Sequence, residues 1–75
     1  MKIATWNINS VRLRLETVLA FLQQADIDVL CLQETKTQDM HFPSEEFAVA
    51  GWPHQAIRGE KSYNGVAIIA RQPLA

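Results

Sequence analysis

The chain has 75 residues, of which 48 % are hydrophobic and 20 % charged, and its formal net charge at pH 7 is −1. The composition is that of a globular rather than a disordered chain. The single cysteine, Cys31, excludes an internal disulfide. The balanced charge gives no electrostatic signature of nucleic-acid or membrane binding. No apolar run approaches the roughly 20 residues of a membrane span and the N-terminus lacks the apolar core of a signal peptide, so we expect a cytoplasmic protein with no membrane partner.

The first half of the chain predicts a βαβ unit. Side chains alternate in character over residues 2–9, which predicts a strand, and Ser10 then stands where a helix cap would stand. Apolar residues at helical spacing predict a helix over residues 11–24. Residues 27–32 form a nearly continuous apolar run, typical of a strand buried on both faces in a parallel sheet.

A loop and a short helix follow. The pattern loosens over residues 35–44 (TKTQDMHFPS), which predicts a loop, and Pro43 suits the first turn of a helix over residues 44–50. Gly51 is well placed to end that helix.

The last part of the chain predicts two antiparallel strands, over residues 54–59 and 65–71, joined by a polar segment with the turn pair Asn64–Gly65. The chain stops just after an apolar strand, and nothing follows to cover that strand. We therefore expect residues 1–75 to be the N-terminal part of a single, longer domain.

Two polar side chains fall at the carboxyl ends of the parallel strands. Asn7 lies near the end of the first strand and Glu34 at the end of the second. Neighbouring strands lie about 4.8 Å apart, and ligands of open α/β sheets gather at these ends. A carboxylate beside an amide favours Mg²⁺ or Mn²⁺ over Zn²⁺. The alternative is structural: Glu34 simply begins a loop and Asn7 caps a turn.

Three motifs carry a resemblance to a known family. WNINS at residues 6–10, LQETK at 32–36 and KSYNGVAI at 61–68 resemble the N-terminal segment of the exonuclease III family. This is the bacterial AP endonuclease branch of the endonuclease/exonuclease/phosphatase superfamily, and the resemblance covers essentially the whole chain. It implies an α/β fold, in which this chain supplies the βαβ and hairpin portion of a four-layer α/β sandwich with two mixed sheets.

The resemblance also implies an activity. Members of this branch are metal-dependent DNA repair nucleases that hydrolyse phosphodiester bonds in double-stranded DNA, as abasic-site endonucleases and as 3′-5′ exodeoxyribonucleases. The implied cofactor is Mg²⁺ (or Mn²⁺), the partner is double-stranded DNA with abasic sites or 3′ ends, and the complete protein is expected to be a monomer. The family's later catalytic residues follow this segment, so we expect the isolated chain to be inactive.

The site residues implied by the resemblance are transferred position by position. Glu34 matches the metal-binding glutamate and Asn7 the asparagine that orients metal and phosphate, so both are predicted to be catalytic. Asn9 falls where some relatives carry an aspartate and is a third candidate metal ligand. Lys36 matches a basic residue beside the metal.

The predicted nucleic-acid contacts are less closely tied to the motifs. Tyr63 and Asn64 match a loop that approaches DNA; Tyr63 could stack on or wedge into the duplex, or pack within its own loop. Arg12 directly follows WNINS and could touch a phosphate, as could Arg14, although a solvated helix face explains both equally well. Lys61 and Arg58 are weaker candidates.

Two other functions stay open at this point. The chain could belong to another phosphoesterase of the superfamily, acting on phosphoinositide, sphingomyelin or RNA, although the YNG loop argues against this. It could also be a small non-catalytic α/β interaction module. We expect Cys31 to be a core residue, and His41 and His54 to be solvated.

Overall fold

The computed structural model describes residues 1–60 and 63–74, so Lys61 and Ser62 of the third motif, with the predicted role of Lys61, lie outside the described residues. The elements in these residues are, in chain order, strand β1 (Ile3–Asn7), helix α1 (Leu15–Gln24), strand β2 (Val29–Gln33), a 3-10 helix (Asp39–His41), helix α2 (Ser44–Ala50), strand β3 (His54–Arg58) and strand β4 (Val66–Ala70).

The four strands form one mixed sheet in the order β1-β2-β4-β3. β1 and β2 run parallel with Asn7 opposite Gln33, which confirms the predicted β-α-β order. β4 is antiparallel to β3, as predicted, and also to β2. The hairpin therefore folds back so that its second strand lies beside β2, and this brings the hairpin loop next to the loop that follows β2.

Both helices pack on one face of the sheet. This face carries Leu30 and Leu32 from β2, and Val18 and Leu22 of α1 are fully buried against the same cluster. The buried apolar side chains of this core are Ile8, Val11, Val18, Leu22, Ile27, Leu30, Leu32, Phe42, Phe47, Trp52, Ala67, Ile69 and Ala70. Burial of this apolar face is the main favourable contribution to the fold.

The opposite sheet face is uncovered in the part of the chain that the structure describes. Ile3 is 66 % exposed and Ile68 38 % exposed, and Cys31, which lies between their strands, is only half-buried. The prediction that the second strand is buried on both faces is therefore wrong for these residues: burial alternates along β2, because helices cover one face alone.

Helix α1 begins at Leu15, four residues later than the sequence pattern predicts. Its N-terminal cap position is Arg14 with no side-chain cap, whereas Ser10 Oγ accepts a hydrogen bond of 3.4 Å from the Leu13 N–H in the preceding turn. The reason is tertiary. The Ser10 N–H donates to the Glu34 carbonyl at 2.9 Å, so the chain stays beside the loop after β2 before it turns into the helix.

The second helix agrees with the prediction in both bounds. It spans Ser44–Ala50, and Gly51 ends it in the left-handed region at φ +118°, with its N–H bonded to the carbonyl of Ala48. A residue with a Cβ is disfavoured in this backbone conformation, which explains the terminator.

Candidate active site

The two predicted strand-tip residues lie side by side. Asn7 is the last residue of β1, and Glu34 directly follows β2. Asn7 Nδ2 donates a hydrogen bond of 2.5 Å to Glu34 Oε2. The parallel pairing of β1 and β2 thus places a carboxylate and an amide together at one edge of the sheet.

The backbone at this edge adopts an unusual conformation. Glu34 and Lys36 both have φ of +53°, and Asn9 has φ of +49°. Asparagine enters the left-handed region readily, but glutamate and lysine do so at a cost of the order of 1 kcal/mol or more. Non-glycine residues held in this way require neighbours that fix them, and such residues concentrate at functional sites.

Backbone hydrogen bonds fix the Glu34–Lys36 segment from both sides. On one side lies the segment that follows β1. On the other lie Asn64 and Gly65, the residues of the hairpin loop just before β4, here named the hairpin tip. The four bonds are Ser10 N–H to Glu34 O (2.9 Å), Val11 N–H to Thr35 O (3.1 Å), Thr35 N–H to Gly65 O (3.2 Å) and Lys36 N–H to Asn64 O (2.9 Å). The direction of the Glu34 side chain is therefore set from two separate parts of the chain.

Lys36 joins the remaining polar groups of the site. Its Nζ donates a hydrogen bond of 2.5 Å to Asn9 Oδ1 and lies 3.7 Å from Glu34 Oε1. The amide oxygen of Asn9 is thus already used by an ammonium group. The predicted role of Asn9 as a metal ligand stays a prediction, and a cation bound there would compete with the Lys36 ammonium for that oxygen.

The charge of Glu34 is only partly compensated. Its side chain is 45 % exposed and that of Lys36 is 31 % exposed, so water screens the ion pair between them. Oε1 has no closer cationic partner in residues 1–60 and 63–74 than this ammonium at 3.7 Å. A water-accessible carboxylate oxygen at a strand tip is a suitable first ligand for a cation.

The donors present here fit a hard cation of the Mg²⁺ type. In the described ranges, no three His, Cys, Asp or Glu side chains come together as a metal cluster. The oxygen donors at the tip are the Glu34 carboxylate and the Asn7 amide oxygen, since Asn7 turns its Nδ2 toward Glu34. Mg²⁺ typically takes one or two protein carboxylates and keeps several waters, whereas a structural zinc site needs four protein ligands.

The predicted nucleic-acid residues are on the surface around this tip. Tyr63 is 63 % exposed, and Asn64, which is also exposed, is tied to Lys36 through its backbone carbonyl. Arg12 is exposed in the turn before α1. Arg14 is also exposed, and its Nε donates to the Ile8 carbonyl at 2.9 Å, so the side chain supports the turn before α1; its contact with a phosphate stays a prediction.

A shallow cavity of about 460 Å³ lies beside the hairpin loop, between the ends of β3 and β4. Arg58 lines it and is exposed at the end of β3. The cavity adjoins Gly65 and thus extends the surface of the site along the hairpin.

Sequence reasoning missed the residues that hold the loops together. Thr35 is buried and packs on Gly65, and Gly59 lies against the Thr37 carbonyl. The Gly59 N–H also donates to Asp39 Oδ1 at 2.6 Å. The glycines could be recognised in the sequence as turn residues, but a close approach to a distant segment leaves no local signal.

The fold and the site together define an α/β protein with a carboxylate–amide site at the tips of adjacent parallel strands. This arrangement agrees with the resemblance found in the sequence motifs. The sequence profile described as "Endonuclease/Exonuclease/phosphatase family" matches residues 4–75, and the chain belongs to this family.

The chain is similar to proteins named exodeoxyribonuclease and AP endonuclease. It is 36 % identical over 76 residues to an exodeoxyribonuclease of Bacillus subtilis, covering 96 % of this chain and 29 % of that protein. Among solved structures, it matches an AP endonuclease from Archaeoglobus fulgidus at 43 % identity and a TM-score of 0.91, covering 96 % of this chain and 28 % of the other.

A third match is a 3′ phosphatase from Neisseria bound to a product DNA hairpin, at 45 % identity and a TM-score of 0.90. It covers 95 % of this chain and 27 % of that chain. The chain thus spans less than a third of the length of each of these relatives. In the described residues, no helix has the length and apolar character needed to cross a membrane.

Proposed function

We propose that this chain supplies the N-terminal part of a metal-dependent DNA repair nuclease. The activity would be hydrolysis of phosphodiester bonds in double-stranded DNA, at abasic sites and at 3′ ends, with Mg²⁺ or Mn²⁺ as cofactor. The observation that carries the proposal is the 2.5 Å hydrogen bond between Asn7 and Glu34 at the strand tips. The names of the relatives support it, since they include an exodeoxyribonuclease, an AP endonuclease and a phosphatase bound to DNA.

Each residue at the tip has a part in this proposal. Glu34 would hold the cation, which when bound would stabilise negative charge on the phosphate and on the leaving oxygen. Asn7 holds the Glu34 carboxylate in place and offers its amide oxygen to the same ion or to the phosphate. Lys36 adds a positive charge where a DNA phosphate would approach, and Tyr63 and Asn64 would contact the duplex.

The remaining catalytic groups would come from outside this chain. A general base and a residue that supports the phosphate are needed for hydrolysis, and no cluster of three His, Cys, Asp or Glu side chains forms within the described residues. We therefore propose that residues 1–75 are inactive when isolated. We also propose that the full-length protein acts as a monomer in the cytoplasm.

The test compares Glu34→Gln with Glu46→Gln in the full-length protein. Both changes remove one exposed or half-exposed carboxylate, but Glu46 lies in α2, away from the strand tips. Cleavage of a duplex with one abasic site is measured against Mg²⁺ concentration. Loss of the metal-dependent rate by about 100-fold or more in Glu34→Gln alone would support the proposal.

Two results would contradict it. Unchanged Mg²⁺ dependence in Glu34→Gln would remove Glu34 from the metal site. Faster hydrolysis of RNA, or of phosphoinositide or sphingomyelin in vesicles, than of abasic duplex would assign the chain to a different phosphoesterase of the family.

A further inference from the structure

We propose that Gly65 and Thr35 are positioning residues that set the direction of the Glu34 carboxylate. The inference rests on the proposed function, because it assigns Glu34 to the cation. It makes the tip of the hairpin loop a part of the metal site, although neither residue offers a ligand to the ion.

The first observation is a close approach. A Cβ added to Gly65 would lie 2.2 Å from Thr35 Oγ1, far inside van der Waals contact. Thr35 is 1 % exposed and is held between the hairpin tip and the segment after β1, so it has little room to yield. Only glycine at position 65 permits the present distance between the two loops.

The second observation is the position of Thr35 in the chain. It lies between Glu34 and Lys36, the two residues with φ of +53°. The Thr35 N–H donates to the Gly65 carbonyl at 3.2 Å, and its own carbonyl accepts from Val11 at 3.1 Å. Any displacement of Thr35 therefore rotates the peptide that carries the Glu34 side chain.

These contacts make the Glu34 conformation depend on Gly65. The left-handed backbone at Glu34 is unfavourable for this residue type, so it persists only while its neighbours impose it. A methyl group at position 65 would push Thr35 away, lengthen the bond to Gly65 and allow Glu34 to relax. The carboxylate would then leave the position in which Asn7 holds it, and the affinity for the cation would fall.

Gly51 offers a matched control. It also has a left-handed backbone, with φ of +118° against +94° for Gly65, so alanine is strained at both positions. A Cβ at Gly51 would meet nothing within 4 Å. Gly51→Ala therefore reproduces the backbone cost of Gly65→Ala without the pressure on Thr35.

The experiment measures Mn²⁺ binding by electron paramagnetic resonance in the full-length protein without DNA. The relevant site is the one that Glu34→Gln removes. We expect Gly65→Ala to weaken Mn²⁺ binding at this site by about tenfold, the usual scale for groups that orient a ligand, and Gly51→Ala to leave it unchanged. Thermal unfolding of the two alanine variants shows whether their stabilities match.

A second variant separates positioning from general damage. Thr35→Ala removes the oxygen that the new methyl would strike, so adding Gly65→Ala to Thr35→Ala should cost no further Mn²⁺ affinity. If Gly65→Ala alone does not fold, Mn²⁺ binding is compared between the double variant and Thr35→Ala. Equal tenfold losses in both backgrounds, or failure of the double variant to fold, would overturn the inference.

The proposed function and the positioning role of Gly65 fail on different results. If the wild-type protein binds no Mn²⁺ that depends on Glu34, the proposed function fails. If that binding exists and Gly65→Ala matches Gly51→Ala, the metal site stands and the positioning role of Gly65 is wrong.

Discussion

The two ends of the parallel strand pair both carry charged side chains, but they use them differently. At the end opposite the candidate site, Arg71 Nη1 lies 2.7 Å from Asp26 Oδ1 and 3.6 Å from Asp28 Oδ1. The Arg71 guanidinium also lies 4.9 Å from the centre of the Trp52 ring. One arginine after β4 thus ties together the loop before β2 and the aromatic residue before β3.

Both carboxylates at this opposite end lie beside the Arg71 guanidinium. Asp28 Oδ2 accepts the Lys2 N–H at 2.7 Å, and Lys2 Nζ donates to the Ala25 carbonyl at 2.9 Å. The hydrogen bond and the charge of Arg71 lower the pKa of Asp26. The carboxylates of Asp26 and Asp28 are thus used in contacts that stabilise the fold at this end.

At the candidate site the carboxylate has different partners. Glu34 has a neutral partner, Asn7, and a screened cation at 3.7 Å. Asp26 shares the left-handed backbone of Glu34, with φ of +56° and +53°, but aspartate tolerates this region better than glutamate does. A cluster of charges is therefore not enough to identify a site, and the feature that distinguishes the candidate site is a left-handed backbone at a residue type that rarely adopts it.

The contrast between the two ends predicts a loss of turnover when the hydrogen-bond partner of Glu34 is removed. Asn7→Ala removes the group that holds Glu34, so we expect turnover on abasic duplex to fall roughly 100-fold while DNA affinity changes little. Thr5→Ala, two residues earlier on the same face of β1, is the control. A loss of DNA affinity without a loss of turnover would take Asn7 out of the catalytic role.

A smaller effect on the Mg²⁺ requirement is expected at Lys36. The direction of the change shows whether Lys36 opposes or supports cation binding. The Lys36 ammonium repels any cation bound by Glu34, so Lys36→Met should lower the Mg²⁺ concentration needed for half-maximal rate by about two- to fivefold. Lys2→Met removes an equal charge at the opposite end and should leave the metal requirement unchanged. A higher Mg²⁺ requirement in Lys36→Met would mean that Lys36 supports the site instead of opposing the cation.

The opposite end should respond in stability alone. Arg71→Ala removes the contact with the Trp52 ring, a loss of about 1 kcal/mol, which corresponds to a decrease of a few degrees in Tm. Arg58→Ala, at an exposed position, should change Tm less. The Mg²⁺ requirement of Arg71→Ala should equal that of the wild type, and any change in it would remove the distinction between the two ends.

A still smaller effect is expected on the decrease in Tm between neutral and acid pH. Because Arg71 lowers the pKa of Asp26 in the folded state, the ion pair stabilises the protein above the carboxyl group's ordinary pKa. That stabilisation is lost as the pH falls below about 4 and through the lower folded value. We expect the decrease in Tm between neutral and acid pH to be smaller in Asp26→Asn than in Glu45→Gln, and equal decreases would contradict the assignment.

Much of this fold was predictable because its signals are local. Pro43 and Gly51 bracket α2, and the strand–helix–strand pattern required the tips of β1 and β2, with Asn7 and Glu34, to meet at one edge. Periodicity and turn chemistry act over a few residues, so a single sequence is enough to identify them.

The rest depends on contacts between distant segments. The position of β4 between β2 and β3 was not predicted, and it is this arrangement that lays Gly65 on Thr35. The left-handed backbone of Glu34 is likewise imposed from outside, by Ser10 and the hairpin tip. The local preference of glutamate is against that conformation, so no local pattern indicates it.

The half-buried thiol in the middle of the uncovered sheet face has a practical use. Cys31 is the single cysteine of these 75 residues, and it lies between Thr5 and Ile68 on that face. A chromogenic disulfide reagent would reach it quickly when the face is bare and slowly when another layer of protein lies over it. The rate at which Cys31 is labelled therefore measures how completely this face of the sheet is covered.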